Sequence, residues 1–111
     1  MRFALSSLCG VLLACATAQA SAASGDLAGA ADLAKANGCY SCHAAAEKIV
    51  GPSFVSVAEK YAGDKDASAS LAQSIQMGSK GKWGRAAMPA HPSLSPGDVT
   101  LLANWVLAAR P

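Results

Sequence analysis

Two cysteines three residues apart, followed at once by a histidine, form the most reactive grouping in the chain: Cys39-Tyr40-Ser41-Cys42-His43. This C-x-x-C-H spacing is the attachment sequence of a c-type haem. Each thiol can add to one vinyl group on the same edge of the macrocycle. The next residue, His43, then offers a neutral imidazole nitrogen to the iron. Two other chemistries use a close cysteine pair. A thioredoxin-like redox pair needs a βαβ context, and no such pattern surrounds these cysteines. A structural zinc site needs four ligands, and after His43 only His91 remains as a candidate.

A haem iron held by one histidine needs a second axial ligand or keeps an open position. Met77, Met88 and His91 are the candidates. Met77 lies on a helical pattern just before a glycine stop, where the core is its expected place. Met88 lies in an irregular stretch and precedes Pro89, which restricts the backbone before it. Met88 is therefore the expected sulfur ligand.

The elements that must position these residues follow from periodicity. Leu27, Ala30, Ala31 and Ala34 recur at helical spacing, and Gly38 stops the pattern. Phe54, Val57, Ala58 and Tyr61 repeat it, opened by Pro52 or Ser53 and closed by Gly63. Leu71, Ala72 and Ile75 mark a third helix, from near Asp66 or Ser68 to Gly78. The last helix has Ser95 as N-cap, Pro96 at the first position and Asp98 three residues past the cap. Val99, Leu102, Ala103 and Val106 form its apolar face, with Trp105 beside it, and Arg110 suits its C-terminal end. No segment alternates with period two, so the expected fold class is all-α. Residues 78–94 fit no element. A structureless stretch of that length in so small a domain is usually functional, and it carries Trp83, Met88 and His91.

Composition narrows the function further. The chain has 111 residues, room for one small domain. Residues 1–20 read as a signal peptide. Met1 and Arg2 are followed by a broken apolar run, and Ala18-Gln19-Ala20 gives a small-x-small cleavage site. The domain is then expected over residues 21–111, outside the cytoplasm, in the periplasm. A lipid anchor at Cys15 is a lesser alternative, and no membrane span is expected after processing. Nearly half the apolar residues beyond position 20 are alanine. A core that thin calls for a staple or a bound group to fill it. Net charge falls to about +1 without Arg2, and no basic stripe alternates with aromatics, so nucleic acid is not an expected partner. Lys80, Lys82, Arg85 and Lys48 could form a mildly basic docking face.

The sequence resembles the small class I cytochromes c of bacteria, of the cytochrome c-551 kind, over residues 27–109. Besides the haem motif, the resemblance rests on Leu33-Ala34-Lys35-Ala36-Asn37-Gly38, Ile49-Val50-Gly51-Pro52 and Val57-Ala58-Glu59-Lys60-Tyr61-Ala62-Gly63. Gly78-Ser79, Trp83-Gly84, Met88-Pro89 and Leu102-Ala103-Asn104-Trp105-Val106-Leu107 complete it. It implies about four short helices around one covalent haem c. Cys39 and Cys42 would form the thioethers, with His43 the proximal and Met88 the distal ligand. The carbonyl of Pro52 would accept a hydrogen bond from His43, raising its basicity. Trp83 would donate to a haem propionate, and Trp105 would pack where the first and last helices cross.

Three positions depart from the pattern. Ala34 stands where an aromatic residue is common, Ser74 where an arginine can pair with a propionate, and His91 where asparagine is common. The function implied is that of a monomeric periplasmic electron carrier, not an enzyme, working between an electron donor and a terminal oxidase or reductase. The alternative is a haem-bearing subunit of a periplasmic dehydrogenase or reductase complex.

Overall fold

The computed structural model describes residues 27–111. The leader, its cleavage site and Cys15 lie outside the described residues.

Four helices and one 3₁₀ turn make up the regular structure: α1 Ala30–Ala36, the turn Cys39–Ser41, α2 Phe54–Lys60, α3 Ala67–Met77 and α4 Pro96–Leu107. No strand occurs among the described residues, as the lack of period-two patterning predicts. The helix starts follow local chemistry. Ser53 Oγ accepts from the Ser56 amide at 3.0 Å, and Ser95 Oγ accepts from the Asp98 amide at 3.1 Å. Each bond satisfies an amide that helix geometry leaves unpaired. At the far end of α4, Arg110 donates to the carbonyls of Leu107 and Ala109, the dipole-complementing role expected of it.

The start of α1 differs from the sequence expectation, whereas α3 starts where it is expected. The apolar pattern predicts α1 from Leu27, but residues 27–29 form a turn. Gly29 has no side chain to cap the helix, which begins at Ala30. For α3, Asp66 occupies the N-cap without using its own side chain. Asp64 instead accepts from the Asp66 amide at 2.8 Å.

Helix α4 packs against α1, α2 and α3. One core cluster joins Ala34, Leu94, Val99 and Leu102, with Cys39 and Trp105 against it. This places Trp105 at the meeting of the first and last helices, as expected. A second cluster joins Val57, Leu71 and Ala103, with Trp83 against it. Ala34 and Ala103 are fully buried, so the helices approach closely without large side chains between them.

Because α4 touches every other helix, its N-cap supports the whole domain. Ser95→Ala should cost about 1 kcal/mol. The thermal midpoint, read by circular dichroism, should fall by roughly 4–8 °C.

Candidate functional site

Cys39, Cys42, His43, Pro52, Trp83 and Met88 all line one cleft between the helices and the long loop. The cleft is open at its mouth, with about 1220 Å³ of empty space when the solvent at that mouth is counted. The wall is mostly apolar, with Val57, Leu71, Ile75 and Leu102 contributing.

The His43 side is held tightly. Its Nδ1 lies 2.7 Å from the Pro52 carbonyl oxygen. A carbonyl only accepts, so Nδ1 carries the proton and Nε2 keeps its lone pair. The ring stacks on Phe54, with centroids 5.4 Å apart and planes 22° from parallel. Phe54 in turn meets Trp105 edge-on at 4.9 Å, and Tyr40 touches both rings. Gly51 covers the ring from another side. A Cβ there would stand 2.6 Å from His43 Cε1, so only glycine fits. The segment holding Gly51 is pinned by its amide bond to the Cys42 carbonyl at 2.7 Å.

Both cysteines are free thiols rather than a disulfide. Burial pushes the Cys39 thiol up, against a smaller lowering by its backbone hydrogen bond.

The Met88 side is a strap. Ser79 and Met88 exchange both main-chain hydrogen bonds, at 2.9 and 3.1 Å. Gly78 makes this closure possible. It has φ +78°, and a Cβ on it would meet the Met88 carbonyl at 2.7 Å. Further along, the His91 amide bonds to the Ile75 carbonyl at 3.0 Å, tying the loop to α3. His91 also lines the cleft, and its Nδ1 is buried with no hydrogen-bond partner. A buried polar atom without a partner, on a residue that lines an apolar cleft, is consistent with a wall shaped for a bound group.

Met77 corrects an expectation. The sequence puts it in the core, yet it is 70% exposed. Leu71, Ser74 and Ile75 turn inward, and Met77 lies about 200° around the helix from Ile75. It does not line the cleft, which leaves Met88 as the methionine of the site.

The cleft thus gathers the imidazoles of His43 and His91, the thioether sulfur of Met88 and two thiols, a set that suits a covalently held haem. The family model described as cytochrome c matches residues 27–110. The chain belongs to the cytochrome c family. Cytochrome c-552 of Nitrosomonas europaea is 44% identical over 80 residues, covering 72% of this chain and 78% of that one. Cytochrome c-551 of Pseudomonas aeruginosa is 45% identical over 78 residues, covering 70% and 74%. The crystal structure of the Nitrosomonas europaea cytochrome superposes with a TM-score of 0.69 over 72% of this chain and 99% of that one. A class 1 cytochrome from Sideroxydans lithotrophicus is 32% identical, with a TM-score of 0.64 over 78% and 96%. The fold is that of a small class I cytochrome c, and cytochromes c of this family bind one covalent haem c, for which the C-x-x-C-H motif of this chain is suited.

Two features of the site have no local signal in the sequence. Lys82, expected on an outward docking face, turns its Nζ to Ser74 Oγ at 2.7 Å. Lys60 reaches across from α2, with Nζ 4.4 Å from the centroid of the Trp83 ring. Both pairs are set by tertiary packing of the loop on α2 and α3. Phe54 was legible as a buried helix position, but its stacking on His43 was not.

Proposed function

We propose that the chain is a periplasmic carrier of single electrons and not an enzyme. The reading makes Cys39 and Cys42 the thioether anchors, His43 the proximal ligand and Met88 the distal one. A haem held in this way supplies an iron that changes oxidation state by one electron. The carrying observation is that His43 and Met88 lie on the same cleft as both cysteines.

Each residue has a defined task. Pro52 fixes the His43 tautomer and ring plane, and its carbonyl strengthens the imidazole as a donor. Gly51 and Phe54 hold that ring on two sides. The Ser79–Met88 pairing holds the sulfur-bearing segment through main-chain atoms alone. With His43 and Met88 both committed to holding a haem, a substrate would have no route to its iron, which supports carriage over catalysis. Met ligation raises the potential. Trp83 is read as a donor to a haem propionate. Exposed Tyr40, Ile49 and Val50 and the cations Lys80 and Arg85 offer a surface to a redox partner. Export rests on the leader, and no described helix is long and apolar enough to cross a membrane.

The test has two parts. Denaturing mass spectrometry should show residues 21–111 plus one haem that resists acidified organic solvent. The ferrous protein should then bind carbon monoxide only slowly, because Met88 must leave first. An extractable haem would refute the attachment. Rapid carbon monoxide binding would refute the closed iron.

A further inference from the structure

Lys82 is the one formally charged side chain on the wall of the cleft among the described residues. It belongs to an exposed loop, where a lysine head normally stays in water. Here Nζ is moored 2.7 Å from Ser74 Oγ, on a serine only 7% exposed. The Ser74 hydroxyl donates to the Ser70 carbonyl at 3.1 Å, which leaves its lone pair for the ammonium. A second cation converges on the same corner. Lys60 Nζ lies over the Trp83 ring and donates to the Lys82 carbonyl at 3.2 Å.

Two ammonium groups from different elements thus both attach to the Lys82–Trp83 segment, and both donate to neutral oxygens. With no acidic side chain on the cleft wall among the described residues, the local charge favours an anion. Cys39 packs with the Ala34–Leu102 cluster, whereas Trp83 packs with the Val57–Ala103 cluster. Haem c carries its two carboxylates on the edge opposite its thioethers.

We propose that Lys82, moored on Ser74 and seconded by Lys60, is the counter-charge for a haem propionate and thereby raises the reduction potential. The proposal rests on the haem reading above. Lys82 acts as a positioning residue: it holds the carboxylate ionised and near its own charge. Removing the cation favours the ferric state, which carries one more positive charge, so the potential falls. It also makes the carboxylate easier to protonate, so the pH-dependent part of the potential moves to higher pH.

The experiment compares Lys82→Met, Lys82→Arg, Lys60→Met and Lys80→Met in the holoprotein, by redox titration from about pH 5 to 9. The other titratable groups on the cleft, Tyr61, His43 and His91, are common to all four. Lys82→Met should shift the oxidation equilibrium toward ferric by roughly three- to tenfold, the effect of one partly screened charge about 10 Å away. It should also move the pH-dependent segment upward. Lys82→Arg should retain the wild-type curve. Lys60→Met should shift it less, in the same direction, and Lys80→Met should leave it in place. A Lys82→Met curve matching wild type would overturn the proposal. So would an equal shift from Lys80→Met, which would make the effect one of general surface charge. Denaturing mass spectrometry on the same samples separates the two failures. A chain without bound haem refutes the functional reading, and a haem-loaded chain with an unmoved curve refutes the role of Lys82 alone.

Discussion

Met88→Ala is expected to abolish the weak far-red charge-transfer band between methionine sulfur and ferric iron, and to lower the midpoint potential. Axial ligand identity spans about 0.8 V across haem proteins, so the fall should be on the order of tenths of a volt. Met77→Ala should leave both band and potential unchanged. The contrast is clean because of how the loop is held. The hydrogen bonds between Ser79 and Met88 are main-chain, and a substitution at the side chain keeps them. The Gly78 turn that closes the strap is also untouched. Met88→Ala should therefore fold, with helical circular dichroism close to wild type. Loss of the band in Met77→Ala, with retention in Met88→Ala, would contradict the ligand assignment.

Gly51→Ala is expected to be strongly damaging for a single added methyl. The added carbon would sit 2.6 Å from His43 Cε1, 3.0 Å from Nδ1 and 3.1 Å from Nε2. The ring cannot retreat freely, because Phe54 stacks on it and Pro52 holds its Nδ1 at 2.7 Å. Overpacking of this kind costs about 1–3 kcal/mol. For a domain this size that is a loss of roughly 5–20 °C in thermal midpoint. Tilting the ring also weakens its bond to the Pro52 carbonyl. A less basic imidazole stabilises ferric iron less, so the potential should rise. Gly63→Ala is the control. Gly63 has a positive φ, +77°, which Gly51 does not, and nothing lies within 4 Å of its Cβ position. That variant should lose about 1–2 kcal/mol of stability to backbone strain alone, with an unchanged potential. Equal potentials for the two variants would mean that Gly51 does not act through His43.

The haem motif and the four helices were legible because each rests on short-range chemistry. Ser95 caps its own helix within three residues, and Cys39, Cys42 and His43 are consecutive or nearly so. The bond from His43 to Pro52 came from the resemblance, and the structure contains it at nine residues' separation. What periodicity could not give were contacts fixed by packing. Met77 follows an apolar helical pattern, yet the angle of α3 against α4 decides which face is buried, and Met77 lies off it. Lys82 and Ser74 are eight residues apart across a turn with no repeating pattern. Nothing in their neighbourhood distinguishes Lys82 from Lys80, which points away from the cleft. The start of α1 was misjudged because periodicity shows where apolar residues fall but not whether a cap exists to begin the helix.

The core of this domain is thin, with Ala34 and Ala103 among its fully buried residues, and several of its large apolar side chains line the cleft. A group that binds reversibly to such an interior stabilises it only as far as its free concentration exceeds its dissociation constant. Dilution then becomes denaturation. A group tied to the chain by two covalent bonds obeys a different law. Its local concentration is set by the tether and is the same at any protein concentration. Covalent attachment thus turns the filling of the core from a second-order into a first-order event. A small protein built this way can unfold and refold repeatedly without losing the part that completes it.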